Sequence, residues 1–241
     1  MGRPEEKLEK LEPLEPGFYV VGLGIPEKAA ATVEAIDVLR RADVVFATDP
    51  NDRFFGLLCK DVRSFGDIGS TRGPQATRAA AKRVAEEAGP GKSVAFAIYG
   101  HPLLFEPVVA MVIEEARGLG RQVKVVPGIS ALDASLALLG EAIPPDGGLL
   151  VGDIEFFLRN DPRADCALFV YKAGMVPKNL ARLLARLAES RGKKARVAVV
   201  EGRNFSNSRE TASWATLDAL SREGKIPYYA SLFLPGPTAR S

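Results

Sequence analysis

Phe18-Tyr19-Val20-Val21-Gly22-Leu23-Gly24-Ile25-Pro26 is the stretch whose reading decides the fold, because an apolar run breaks abruptly into glycine and proline. The pattern recurs twice. Val94-Ala95-Phe96-Ala97-Ile98 runs into Tyr99-Gly100-His101-Pro102, and Val123-Lys124-Val125-Val126 runs into Pro127-Gly128-Ile129-Ser130-Ala131. Short runs of this kind, followed by helical patterns, read as buried strands of a largely parallel sheet, and the loops after parallel strands gather at one edge. Ligands of open α/β sheets bind at that edge. The chain's single histidine, His101, lies in the middle break, so the one side chain that ordinarily titrates near neutrality stands where chemistry is expected.

Outward from the first run, residues 29–41 carry Val33, Ile36, Val38 and Leu39 with charged residues between them, which is helical spacing, and 43–47 return to strand character. This is a βαβ opening. Residues 49–71 are irregular and rich in Gly, Asp and Phe, and a stretch of that length is often functional. Helices are expected over 75–87, 106–117, 130–139, 154–158 and 177–191, and strands over 149–151, 167–171 and 196–200, with a last apolar run at 228–234. Ile143-Pro144-Pro145-Asp146-Gly147-Gly148 is a candidate rearranging connection, and the domain junction is placed earlier, at Pro127. The expected architecture is an arm at 1–16 and two small α/β domains, 17–126 and 127–241, with mainly parallel sheets. The arm alternates charge and reads as loose and solvated, a short helix or a strap over a partner subunit being the other readings.

The 241 residues carry 32 basic and 30 acidic side chains, a net charge of +2 that is too balanced for affinity resting on phosphate neutralisation, so no nucleic-acid partner is expected. Cys59 and Cys166 sit in no metal-ligand spacing; they read as free thiols in a reducing compartment, with no metal site. No apolar segment reaches the length of a membrane span, and residues 3–10 lack the apolar stretch of a signal peptide. The expected location is cytoplasmic, with no membrane partner.

Gly22-Leu23-Gly24 lets backbone approach a ligand, but Glu27 stands where a dinucleotide fingerprint would have its third glycine. A tight strand-to-helix turn explains the pair equally well. Tyr99-Gly100-His101-Pro102-Leu103-Leu104-Phe105 combines a phenol, a flexible glycine and an imidazole with apolar neighbours, as a pocket for a mixed polar and apolar ligand requires. With no carboxylate partner visible in sequence, His101 is read as positioning a ligand rather than moving a proton. Ser130 either caps the helix that follows or leaves amide donors there for a ligand carboxylate or ribose. Arg182, Arg186, Arg191, Lys193, Lys194 and Arg196 form the densest basic cluster, read as a solvated helix face rather than a site for acidic groups.

In order along the chain, the Gly22-Leu23-Gly24 turn, the segment Ala35-Ile36-Asp37-Val38-Leu39-Arg40-Arg41-Ala42-Asp43-Val44-Val45, the Tyr99-Gly100-His101-Pro102 loop and Val126-Pro127-Gly128-Ile129-Ser130-Ala131 resemble the tetrapyrrole methylase superfamily. The resemblance implies an S-adenosylmethionine-dependent methyltransferase of two α/β domains, a homodimer with its cofactor in the cleft between the domains. Gly-His-Pro at 100–102, the run Leu168-Phe169-Val170-Tyr171-Lys172-Ala173-Gly174 and the ending Ala230-Ser231-Leu232-Phe233-Leu234-Pro235 are similar to the borosin peptide backbone N-methyltransferases, in the split form whose precursor peptide is a separate chain. That likeness implies cofactor contacts from Tyr99, His101, Leu104, Phe105, Ser130, Ala131, Lys172, Gly202 and Ser231, and Gly22 and Gly24, whose turn lets backbone approach a ligand, are expected to bind the cofactor with them. The likeness also implies catalytic roles for Tyr99, which would position the acceptor or the sulfonium face, and for Arg72, which would polarise the acceptor or help deprotonate it.

One departure from the borosin pattern concerns the acceptor. Those enzymes carry tyrosines around the arginine that are thought to assist removal of the amide proton, whereas residues 65–77 contain Arg72 and no tyrosine. A tetrapyrrole or similar small molecule is therefore the second acceptor, and a cofactor-binding protein without catalysis is the third reading.

Overall fold

Strand β1 (Gly17–Gly22) is the axis of the first sheet: it pairs in parallel with β4 (Ser93–Ile98) on one side and with β5 (Val123–Val126) on the other. Beyond β4 come β2 (Val44–Ala47) and β3 (Val62–Ser64), giving the order β3-β2-β4-β1-β5 with every pairing parallel. The computed structural model describes residues 13–25, 30–47, 53–65, 73–87, 89, 91–162, 165–201 and 211–236.

Alternation along the strands sorts side chains into two cores. Phe18, Val20, Phe46, Phe96 and Ile98 pack with α3 (Gly73–Glu86) and α4 (Pro107–Gly118) on one face. Tyr19, Val21, Val45, Ala95 and Ala97 pack with α1 (Val33–Arg41) and α2 (Arg53–Leu58) on the other. The connections running from β1 through β2 to β3 thus use one face, and those returning to β4 and β5 use the opposite face. This division keeps every parallel crossover of the same, right-handed sense.

Local signals support these elements. Thr32 accepts the Ala35 amide at 3.1 Å and caps α1, whose first turn holds Glu34 and whose last turn holds Arg40 and Arg41, each complementing the helix dipole. Pro107 opens α4 with a ring that needs no amide partner. At the strand entries, Asp43 accepts both the Ser93 amide and the Ser93 hydroxyl at 2.8 Å, which pins β2 against β4 in register. The Ser93 amide bond is the leading cause that holds the Asp43 carboxyl below its ordinary range.

The chain forms two compact units, Met1–Ser130 and Ala131–Ser241, so the loop after β5 belongs with the first sheet. Within that unit Arg41 donates to Pro13 O at 3.3 Å and the Tyr19 hydroxyl donates to Glu15 O at 2.9 Å, tying residues 13–16 to the fold. Cys59 and Cys166 are free thiols, and burial pushes the Cys59 thiol up to about 11. No helix among the described residues is long and apolar enough to cross a membrane.

The second unit departs from the mainly parallel sheet expected of it. Its strands β6 (Gly148–Gly152), β7 (Cys166–Val170), β8 (Arg196–Glu201), β9 (Thr211–Thr216) and β10 (Ser231–Leu234) take the order β6-β7-β10-β8-β9. Only β6 and β7 pair in parallel; β10 is antiparallel to β7 and β8, and β9 is antiparallel to β8. For β9 the reason is connection length: residues 202–210 between β8 and β9 are too few for the dozen or more that a parallel crossover needs. Leu180, Leu183, Leu184 and Leu187 of α7 (Pro177–Arg191), at heptad-like spacing, cover one face together with α6 (Ile154–Arg159) and α8 (Leu217–Glu223). Leu132, Leu136 and Leu139 of α5 (Ala131–Leu139) pack on the other.

Two stability outcomes are expected. Phe96, fully buried and 4.8 Å from the Phe65 ring, should cost about 3–5 kcal/mol when replaced by alanine, read from denaturant unfolding. Because the folded Asp43 carboxyl binds its proton more weakly than the unfolded one, its contribution is present above the ordinary carboxylate range and is lost as pH falls through the lowered folded value. Thermal melts of Asp43→Asn and the unmodified chain should therefore differ at neutral pH and converge toward pH 3.

Candidate functional site

At the carboxyl edge of the first sheet, the loops after β1, β4 and β5 meet backbone to backbone. A Cβ on Gly22 would stand 2.6 Å from Gly128 N and 2.7 Å from Gly100 O, and a Cβ on Gly128 would overlap Gly100 O. No other residue type leaves room for that contact. Gly24 and Gly100 exchange amide bonds of 3.4 Å and 3.1 Å as an isolated antiparallel bridge, both at positive φ (76° and 78°), the region in which only glycine is free of strain. The three sequence breaks thus become one rigid platform.

The platform presents the β4 loop. Tyr99 packs against the core on the α1 and α2 side. His101 Nδ1 accepts the Leu103 amide at 3.2 Å, so the neutral ring carries its proton on Nε2 and keeps a donor there. The Leu104 amide donates to His101 O at 3.1 Å and closes the turn. Phe105 then takes φ 57°, one of two described non-glycine residues with positive φ; such a conformation costs about 1 kcal/mol or more and clusters where ligands are held. Leu103 and Phe105 are exposed, a mixed polar and apolar surface suited to a ligand of the same character. Ser130 is buried after β5, and its neighbour Ala131 opens α5 with a carbonyl that accepts the Ser135 hydroxyl at 2.6 Å.

In the second unit the carboxyl end of β7 and the amino end of β10 share an edge, because those strands are antiparallel. Lys172 is the second positive-φ residue, at 47°; its amide donates to the Ser231 hydroxyl at 3.0 Å, and its ammonium lies 4.8 Å from the centre of the Tyr171 ring. A 3-10 turn, Ala173–Met175, follows, and Gly174 presses so closely on the loop before β10 that a Cβ there would overlap Pro227 O.

The expected residues thus fall into groups. Gly22, Gly24, Tyr99, His101, Leu104, Phe105 and Ser130 lie in the strand-end loops of the first unit, while Lys172 and Ser231 are joined by a hydrogen bond in the second. Arg72 and Gly202 lie outside the described residues. Gly100, Gly128 and Gly174 were not among the expected site residues; each sits in a run already quoted, but for Gly174 only its contact across some fifty residues of chain gives it weight. Among the described residues no group of three His, Cys, Asp or Glu side chains is arranged to hold a metal ion.

A family model for the tetrapyrrole (corrin/porphyrin) methylases matches residues 17–203, which takes in both sheets' parallel strands and the whole platform. The chain belongs to that family. Members use S-adenosylmethionine as methyl donor, and the mixed surface of the β4 loop, with its histidine donor, exposed apolar groups and strained Phe105, fits a cofactor that is polar at one end and aromatic at the other. Among curated relatives, the methyltransferase/ribosomally synthesized cyclic peptide dendrothelin A precursor of Dendrothele bispora is 29% identical over 177 residues, 70% of this chain and 42% of that protein. The ribosomal RNA small subunit methyltransferase I of Mesorhizobium japonicum is 30% identical over 223 residues, 87% of this chain and 70% of that protein. The diphthine synthase of Pyrobaculum neutrophilum is 31% identical over 137 residues, 55% and 51% of the two chains. The chain therefore spans less than half of the dendrothelin precursor and about half of the diphthine synthase. Among solved structures, the methyltransferase CobJ gives a TM-score of 0.71 at 18% identity, covering 93% of this chain and 96% of that one. The uroporphyrin-III-C-methyltransferase from Thermus thermophilus gives 0.65 at 23%, covering 92% and 93%. At those identities the likeness establishes the fold.

The platform makes a direct expectation. Gly128→Ala should lower stability by about 1–3 kcal/mol and abolish binding of S-adenosylhomocysteine, whereas Gly118→Ala, where an added Cβ meets nothing within 4 Å, should be neutral or stabilising; calorimetry and thermal melts decide both.

Proposed function

We propose that the chain methylates backbone amide nitrogens of a separate precursor peptide, working as a homodimer in the cytoplasm, where free thiols such as Cys59 and Cys166 persist. The observation that carries the acceptor is the β4 loop: residues 99–105 contain no lysine or arginine, and they expose Leu103 among the residues assigned to the cofactor. Tetrapyrrole carboxylates and RNA phosphates call for guanidinium or ammonium groups, whereas an extended peptide calls for apolar surface with backbone partners. The Gly-His-Pro sequence and the dendrothelin precursor match support the same reading. RNA is the competing acceptor, supported by the ribosomal RNA methyltransferase match over 87% of the chain and opposed by a net charge of only +2.

When bound, S-adenosylmethionine supplies an electrophilic methyl group on a sulfonium. The chain's own contribution is to hold the acceptor nitrogen in line and to exclude water, because an amide is a poor nucleophile whose reaction gains most from fixed geometry. His101, with Nδ1 occupied by the Leu103 amide, serves the cofactor through Nε2 rather than by moving a proton. Gly22, Gly24, Leu104, Phe105 and Ser130 line its binding in the first unit, and the same role is proposed for Ala131, Lys172, Gly202 and Ser231 in the second. Tyr99 positions the acceptor, and Arg72 polarises its amide and so helps deprotonate it, the amide proton passing to solvent as the nitrogen takes the methyl group.

Three measurements test this. S-adenosylhomocysteine at about a hundred times its dissociation constant should stabilise the fold by roughly 2.7 kcal/mol, and no shift with either cofactor form at saturation would sink the proposal. His101→Asn should weaken that binding; intact affinity with turnover down a hundredfold or more would make it a proton-transfer residue instead. Arg72→Ala should lower turnover far more than cofactor affinity, with the product read as mass increments on backbone amides. Methylation of RNA or a tetrapyrrole, and of no peptide, would replace the acceptor.

A further inference from the structure

The loop before β10 carries two tyrosines that open the last apolar run of the sequence, 228–234. Tyr228 and Tyr229 are 57% and 39% exposed, and their rings stand edge to face with centroids 4.9 Å apart. Exposed aromatic side chains that rigidify one another in this way are unusual away from binding surfaces, where tyrosine is enriched because it offers large contact area at little entropic cost.

Their position is fixed by the 3-10 turn beside them. Gly174 abuts Pro227 O and Tyr228 O, its amide donates to Ala230 O at 3.1 Å, and the Ala230 amide donates to Pro227 O at 3.0 Å. The next residue, Ser231, receives the amide of the strained Lys172. Met175, the last residue of the turn, and Val176 after it are exposed at 38% and 37%, adjoining in sequence the Gly174 that abuts the Pro227 and Tyr228 carbonyls. Methionine adapts its shape to varied partners, and tyrosine supplies a flat apolar face.

We propose that Tyr228, Tyr229, Met175 and Val176 form a shelf that grips apolar side chains of the peptide acceptor. This rests on the peptide reading above and names the residues that select its substrate. The occupant is a peptide rather than a second copy of the chain because the shelf is continuous with Lys172 and Ser231: the same hydrogen-bonded turn holds both, so an acceptor lying on the rings is anchored next to residues proposed to serve the cofactor.

The probe is a fluorescein-labelled synthetic peptide rich in valine and isoleucine, with a control of equal length in which those residues are serine and aspartate. Both are titrated by anisotropy into the full chain saturated with S-adenosylhomocysteine. The apolar peptide should bind at least about tenfold more tightly than the control, and Tyr228→Ala and Tyr229→Ala should each lose about tenfold while S-adenosylhomocysteine affinity stays as it was. Tyr228→Phe and Tyr229→Phe should restore binding, since the ring and not the hydroxyl makes the contact; their recovery also excludes misfolding as the cause. In turnover, the alanine variants should raise KM for the peptide and leave kcat within a small factor. Equal binding of the two peptides, or unchanged affinity in the alanine variants, overturns the shelf. So does a change from dimer to monomer in light scattering without loss of peptide affinity, which makes the surface a subunit interface. These results are separable from failure of the acceptor assignment, which is a chain that methylates no peptide at all; that outcome removes the shelf together with the peptide reading.

Discussion

Three glycines in van der Waals contact hold the first unit's functional edge together. Gly22 ends β1, Gly100 and Gly128 lie just past the ends of β4 and β5, and their backbones approach so closely that a single added carbon on Gly22 or Gly128 would collide with a neighbouring segment. Everything that follows depends on this approach. It sets where the β4 loop turns, lets the Gly24 and Gly100 bridge form, and so fixes His101, Leu104 and Phe105 on a base of main chain rather than on flexible side chains. A ligand-binding edge built this way loses little entropy on binding, because its supporting atoms are already ordered by the sheet beneath.

The second unit reaches a comparable end by different means. There the pressure point is Gly174 against Pro227, joining a 3-10 turn to a loop in place of three parallel strand ends. In both units the described non-glycine residue with positive φ, Phe105 in one and Lys172 in the other, sits just past a strand at the proposed site. Strain at such positions persists only where surrounding packing and hydrogen bonds over-determine it, as the Lys172 amide bond to the Ser231 hydroxyl does in the second unit.

Much of the fold and part of the site were legible before any coordinates. The runs ending at Val21, Ile98 and Val126 declared parallel strands because strands buried on both faces are continuously apolar, and the glycine and proline after each marked the turns. His101 was visible as the one histidine in such a turn. Other elements left weak traces. Strand β3 has three residues, with Arg63 drawn into ion pairs with Asp61 and Glu87, and β9 is an exposed edge strand, Thr-Ala-Ser-Trp-Ala-Thr; neither shows the alternation that burial imposes. The stretch 49–71 read as irregular because α2 and β3 are too short to establish a period.

The sequence by itself determined the α/β class, the strand-end glycines and the residue types available for chemistry, since these follow from local sterics and from the periodicity that a buried sheet demands. Tertiary structure alone decided that β10 would enter between β7 and β8 and turn the second sheet mostly antiparallel, that Gly174 would meet Pro227, and that Tyr228 and Tyr229 at the head of the last apolar run would stand exposed. Those outcomes depend on contacts between residues far apart along the chain, whose steric and hydrogen-bonding consequences exist only once the segments are packed together.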